Sequence, residues 1–387
     1  MNEVQNDFDT LQQEAEILPK NLIQAMAERD GPEEGGLTLT REHIVTLSEY
    51  ANYTFTLPTT HDTVVRWLGY STIASQDLMP GQMLGLNKDL RAHGSKWKDL
   101  ADNSKRLGFE LAANANGINT TGSEIIEILE KTKALGKKNE AWETITFDHP
   151  VVLNATDKGS VLDLVDYMTV LREDVDRFAK RVNEVGEETE KFRSEATTVL
   201  IPAVLSKSRA IKDLNTGEQI KEMREDLAEI DKRIKQLEAE YDQYVKAALS
   251  GLAAGPLGAV ITGSIYGSKA EKVRKERNKL QKERGALSQK LKAAVKLEGL
   301  VEELGTQMGQ TETRLRDVVT AASHLHSAWL KIGTYIDASI EQLKRIENNQ
   351  QLYKFAIFFK RFIGQWKEIE KFAQHMNRVF DDAASAK

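Results

Sequence analysis

The sequence predicts an all-α protein: an elongated rod with a helical-bundle tail, a long antiparallel coiled-coil neck and an apolar hairpin head. Three observations carry this. From residue 161 onward, apolar residues recur at alternating spacings of three and four, the seam of coiled-coil packing. Only 7 prolines interrupt 387 residues, and no strand-period region of useful length occurs. One segment, 247–268, carries no charge and lies between two heavily charged heptad helices.

The elements follow in order. The stretch to about residue 36 is polar apart from an apolar run over 17–26, and Asp30-Gly31-Pro32-Glu33-Glu34-Gly35-Gly36 reads as a turn. Thr40 is an N-cap for a helix over 41–53, and Pro58 separates it from a helix over 62–79. Pro80-Gly81 breaks the chain again before a helix over 82–115. Asn116-Gly117 through Gly122 reads as a loop and 123–138 as another helix. The stretch 146–156, with Pro150 and several β-branched residues, reads as an extended connection.

The first long seam runs Val161, Leu164, Met168, Leu171, Val175, Phe178, Val182, Val185, Thr189, Phe192, Ala196 and Val199. Pro202 is expected to kink it, because proline lacks the amide hydrogen and clashes with the preceding turn. A second seam runs from Ile220 through Met223, Leu227, Ile230, Ile234, Leu237, Tyr241 and Tyr244 to Ala248. A third begins after Lys269 and continues through Val273, Leu280, Leu287, Val301, Met308, Leu315, Val318, Leu325, Trp329 and Ile336 to Ile346. At 1.5 Å per residue, 220–248 spans roughly 43 Å and a returning helix over 269–346 roughly 115 Å. Helices of that length suggest a rod, and pairing the second and third seams antiparallel puts the chain reversal in 247–268. The last helix, over 352–380, carries Tyr353, Phe355, Phe358, Phe359, Phe362 and Trp366 among lysines. It reads as bundle core with snorkelling edges in preference to an interfacial helix. The resulting divisions are 1–219 and 301–387 as the two parts of the tail, 220–246 and 269–300 as the ascending and descending neck helices, and 247–268 as the head.

Composition removes several function classes. With 53 Lys+Arg against 59 Asp+Glu, the net charge of −6 argues against general nucleic-acid binding. Zero cysteines exclude disulfide scaffolds, thiol nucleophiles and Cys-based metal sites. The N-terminal stretch is polar and acidic, so a conventional cleavable secretory signal is not expected. Among the seven histidines, His324 and His326 are two apart and point to different faces of a helix. No metalloprotease, nucleophile-elbow, phosphate-loop or EF-hand pattern occurs. No catalytic, cofactor-binding or metal-binding constellation emerges, and an enzyme is not expected.

The uncharged segment is the informative one. Gly255-Pro256-Leu257-Gly258 gives a turn signal near its middle. Its length would just permit one transmembrane helix, which needs about 20 apolar residues. Only Leu249, Leu252, Leu257, Val260, Ile261 and Ile265 insert strongly, together worth roughly 2–4 kcal/mol, and the glycines, serines and proline oppose them. As a hairpin, each leg reaches about 15 Å, half of a hydrocarbon core about 30 Å thick. Shallow insertion of a hairpin is therefore better supported than a span. Those six residues and Tyr266 are the candidate membrane-binding set. Lys246, Lys269, Lys272, Arg274 and Lys275 form a basic collar suited to anionic headgroups, at about 1 kcal/mol per cation near the surface. The bland alternative is a tight turn packed under neighbouring helices beside a solvated Lys/Arg–Glu face. An uncharged tip of this length would otherwise need cover in solution.

Taken together, the heptad neck and the stretch GLAAGPLGAVITGSIYGSKAEKVRKERNKL, from Gly251 to Leu280, resemble the A component of the alpha-xenorhabdolysin binary toxins. These belong to the wider cytolysin A-like alpha pore-forming toxins. The resemblance implies a bacterial protein, soluble before attack and exported without a conventional signal, that binds a target-cell lipid membrane through its head. It also implies assembly with a second, B-type subunit into a hetero-oligomeric ring, with no cofactor. The small-residue character of 247–267 leaves open whether this subunit spans the bilayer or only anchors. A non-lytic coiled-coil scaffold or adaptor, whose hairpin docks a protein partner, is the competing reading.

Overall fold

The computed structural model describes residues 15, 17–31, 34–136, 149–213, 218–253, 267–294 and 296–380; within these, side chains at 212, 218–221, 248–253, 289–294, 296 and 297 are not described. The described chain is helical throughout, apart from connections and one isolated bridge between Val152 and Asn348. Helix α1 covers 17–27. It is followed by α2 (Arg41–Thr56), α3 (His61–Leu68), α4 (Pro80–Ser95), α5 (Trp97–Lys131), α6 (Ala155–Glu195), α7 (Ile201–Lys212), α8 (Glu218–Ala253), α9 (Ser268–Ala294), α10 (Lys296–Leu343) and α11 (Asn349–Met376).

Local sequence explains several boundaries. Thr40 caps α2 in a reciprocal box: its hydroxyl accepts from the His43 amide, and His43 Nδ1 accepts from the Thr40 amide at 3.2 Å. Asn154 caps α6 and Asn348 caps α11. Buried Asp157 accepts the amides of Lys133 (2.9 Å) and Ala134 (3.1 Å), tying the end of α5 to the start of α6. Helix α3 is shorter than the expected 62–79 because Gly69, at φ +83°, ends it in the left-handed region.

Two further expectations change for reasons of packing. The stretch 116–122 is not a loop; α5 runs straight through it. Gly122 is the point where α5 meets α11, and a Cβ there would overlap the Ile363 side chain. Asn119 donates to Glu370 at 2.9 Å on the same interface. These residues were chosen for close approach, and tertiary contact overrides their turn propensity. Near Pro202 the helix does not simply kink. A π turn over Ala196–Leu200 absorbs the proline, with the Ile201 amide donating to the Ala196 carbonyl. The inserted residue advances the register by one. Leu200, Val204 and Ile211 are buried, whereas Val199, expected in the seam, is 53% exposed.

Helices α6 and α7 with the π turn run for 58 residues between them, roughly 87 Å. The 48-residue α10 lies antiparallel to them: Arg172 meets Asp337 (2.9 Å) and Arg193 meets Glu312 (3.1 Å). Helix α11 packs antiparallel on α5, and its Phe355, Phe359, Phe362 and Trp366 are buried, so it is core as expected. One apolar core gathers α1, α5, α6, α11 and the C-terminal half of α10. A second gathers α2 to α4, α7 and the N-terminal half of α10.

The third seam is not one helix. Helices α9 and α10 run antiparallel, since Arg277 meets Asp317, Gln281 meets Thr313, and Arg284 meets Glu302. The chain therefore reverses between Ala294 and Lys296, where a 115 Å helix was expected. Helices α8 and α9 are also antiparallel: Arg233 meets Glu276 (2.7 Å), and Lys269 lies 5.8 Å from the Tyr244 ring. That pairing agrees with the sequence. Residues 254–266, between these two helices, lie outside the described residues.

Candidate functional site

The α8–α9 pair forms an arm laid along α10, and its inner surface is held by charge as well as by apolar packing. Leu237, Tyr241, Val245, Ala270 and Val273 join the first apolar core. Among them, Arg274 and Arg277 are buried, at 0% exposure each. Arg277 Nη2 donates to both Asp317 oxygens of α10 at 3.0 Å, and its guanidinium carbon sits 4.9 Å from the Tyr241 ring. Arg274 binds Asp30, donates to Glu271 at 2.9 Å, and approaches Asp317 at 3.8 Å. His43 Nε2 of α2 lies 3.8 Å from Asp317 on another side.

Burial would raise the carboxyl of Asp317, but Arg277 foremost, with His43 and Arg274, outweighs it and holds the group well below the ordinary range. Asp30 follows the same balance: burial opposes ionisation, Arg274 outweighs it, and the pKa falls to about 2. The buried cations of α9 thus face ionised carboxylates on α10 and on the turn after α1. We refer to this cluster as the clamp.

A second set of pairs sits on either side of the arm. Arg284 of α9 donates to Asp231 of α8 (2.6 Å) and to Glu302 of α10 (3.2 Å). Arg224 meets Glu298 (3.0 Å) and Arg316 meets Asp242 (3.3 Å), which sets α8 parallel to α10. Glu238, half-buried beside Glu312, is pushed up by burial and by that second carboxylate.

The collar residues of the sequence divide between the two faces of the arm. Lys246, Lys269, Lys272 and Lys275 are exposed, Lys275 beside Glu271 at 3.5 Å. Arg274 is not with them: it is buried in the clamp and withdrawn from any headgroup in this conformation. The reason is helical spacing, which turns Arg274 and Arg277 inward while 269, 272 and 275 face out. Leu249 and Leu252 lie in the last turns of α8, at positions whose side chains are not described. Leu257, Val260, Ile261, Ile265 and Tyr266 lie outside the described residues.

Sequence reasoning missed Asp30, His43 and Asp317 as members of a site. Two signals were available: the Thr-x-x-His spacing at 40–43, and arginines three apart on the face that carries Val273. Among the described residues, no group of His, Asp and Glu is placed to hold a metal ion, and no helix is long and apolar enough to cross a membrane.

This architecture defines a class of fold, that of the alpha-pore-forming toxin components. The chain has the fold of SmhA, from the tripartite alpha-pore forming toxin Smh of Serratia marcescens, in its soluble form; the TM-score is 0.55 at 12% identity, over 94% of this chain and 95% of that one. It is also similar to YaxA of Yersinia enterocolitica, at 27% identity over 90% of this chain and 98% of that one, with a TM-score of 0.49. Similarity extends to the XaxAB pore complex of Xenorhabdus nematophila, at 25% identity over 91% and 99% of the two chains, with a TM-score of 0.45. No protein-family model and no curated protein matches the sequence.

Proposed function

We propose that the chain is one subunit of an alpha pore-forming, cytolytic toxin that attaches to a target membrane through 247–268 and assembles with a second, B-type subunit into a ring. The observation that carries this reading is the fold shared with a toxin component over nearly the full length of both chains. The position of the uncharged segment supports it. Helices α8 and α9, which lead into and out of that segment in the sequence, are antiparallel, and Lys246, Lys269, Lys272 and Lys275 on either side of it are exposed, as a head at the end of the arm would require. In this reading the neck is 220–246 and 269–300, the head 247–268, and the remainder the tail. Leu249, Leu252, Leu257, Val260, Ile261, Ile265 and Tyr266 enter the membrane, and the four lysines meet anionic headgroups. Secretion in soluble form precedes attack.

The test is sedimentation with liposomes, followed by dye release with and without a candidate second subunit. Leu257→Asp with Ile261→Asp puts two charges in the hairpin, costing roughly 3 kcal/mol each near mid-bilayer and less at shallow depth. The unmodified protein is expected to co-sediment and the double variant to stay in the supernatant. Equal binding by both sinks the membrane assignment of this segment.

A further inference from the structure

Two buried histidines beside the arm, on α2 and α10, lie outside the residues that the membrane reading uses. His43 sits at 0% exposure at the edge of the clamp. Because its Nδ1 accepts the Thr40 amide, the ring proton is on Nε2, which faces Asp317 at 3.8 Å and makes no hydrogen bond among the described residues. His324 is 2% exposed on α10, and neither ring nitrogen has a hydrogen-bond partner among the described residues. It is seven residues beyond Asp317, on the same helix face. The pairs 284·302, 281·313 and 277·317 set the register of α9 on α10, and that register puts 324 level with the first turn of α9. One histidine therefore stands at the clamp and the other at the root of the tip.

We propose that protonation of His43 and His324 releases the α8–α9 arm from α10, so that acid frees the tip. Each ring meets a different obstacle to charging while the arm is closed. Around His43 the charged groups are Glu42 on its own helix, Arg29 and Asp30 after α1, Arg274 and Arg277 on α9, and Arg314 and Asp317 on α10. Helix α4 presents His93 to α2 at Tyr50, and α5 presents Trp97 at Ser48. A fifth cation would enter among four arginines, and Nδ1 would stop accepting from the N-cap amide. Burial first, then Arg29 and Arg314, hold the His43 pKa down to about 4 against the pull of Asp317. Around His324 no described charged group acts; burial alone holds it at about 4.

Lifting the arm lets water reach both rings, which return to an ordinary pKa of 6.5. The open state then binds protons that the closed state refuses. The sign follows: closure is at full strength above pH 6.5 and is lost as pH falls toward 4. At pH 5 each histidine lowers the closed-to-open ratio about 30-fold, and the two together about a thousandfold.

The experiment needs no membrane, so its failure is separate from failure of the toxin reading. With no native cysteine, spin labels at Lys272→Cys on α9 and Ser323→Cys on α10 report the arm. A second pair, at Thr120→Cys on α5 and Lys367→Cys on α11, reports the bundle. Between pH 7.5 and 4.5 the arm distance is expected to lengthen while the bundle distance holds. His43→Gln keeps a capping-box residue at its position, and His324→Met keeps the volume without a titrating group. The double variant is expected to stay closed at pH 5. If it does not fold at pH 7.5, the single variants decide, each expected to open at lower pH than the parent. A parent that stays closed, variants that open with the parent, or a bundle pair that lengthens in step with the arm would overturn the proposal.

Discussion

Asp317 shows how much of the clamp rests on one side chain. Its carboxylate is fully buried and is the common partner of Arg277, Arg274 and His43. Removing its charge leaves two buried guanidinium groups with less compensation. Asp317→Asn is therefore expected to cost about 3–5 kcal/mol, as for other broken buried pairs. The surface pair Lys98–Asp102 is a control on the same molecule, with side chains 80% and 56% exposed. Asp102→Asn is expected to leave stability close to that of the parent, because solvent screens a pair this exposed. Urea unfolding at pH 7.5 checks both, and equal losses would remove the clamp from the account. Part of this was legible in the sequence: Arg274 was recognised as a cation beside the tip, though on the wrong face. Among the described residues its acidic partners include 30, 271 and 317, and only the tertiary fold brings 30 and 317 to it.

Helices were legible wherever a period of three and four ran unbroken. Every seam position from Val161 to Ala196 is buried, and the first to fall out, Val199, does so in the π turn, an insertion that the period does not encode. Glycine misled the reading at 117 and 122, because a residue that permits a turn also permits two helices to touch. That ambiguity has a measurable consequence. Gly122→Ala places a methyl against Ile363 and is expected to lower stability by roughly 1–3 kcal/mol. Gly85, exposed in α4 with nothing near its missing Cβ, should instead gain about 0.5–1 kcal/mol on substitution by alanine. Opposite shifts in melting temperature are the expected outcome, and like shifts would mean that α5 and α11 do not approach at 122. The seam of α8 makes a parallel case. Ile230→Pro removes a hydrogen bond inside a 36-residue helix and should cost ~3 kcal/mol or more, together with lytic activity. Retained helicity, melting temperature and lysis would show that 230 is not in a packed helix.

For the whole molecule, the sequence reading of an all-α elongated bundle holds, and the pairing of α8 with α9 holds with it. What the periodicity could not reveal was the reversal between α9 and α10. A heptad pattern specifies which face of a helix is buried, and that face is the same whether the chain continues or folds back onto a neighbour. The reversal matters because it lays the arm, and with it the approach to 247–268, against α10. An arm that must leave α10 to reach a membrane can be stopped at this junction. The site for such a lock is Gly285 of α9 opposite Thr306 of α10, where a Cβ on 285 would lie 3.5 Å from Thr306 Cγ2, so that cysteines at the two positions would face each other across the contact. With no other cysteine in the chain, Gly285→Cys with Thr306→Cys gives one bridge and no competing thiol chemistry. Oxidised protein is expected to remain soluble, to leave liposomes unbound and to release no dye, and reduction is expected to restore both activities. The reduced form is its own control for any cost of losing the Thr306 hydroxyl, which hydrogen-bonds the Glu302 carbonyl. If the bridged protein bound and lysed as well as the reduced one, the arm would be acting from where it lies, and the clamp would hold the tail together without restraining the tip.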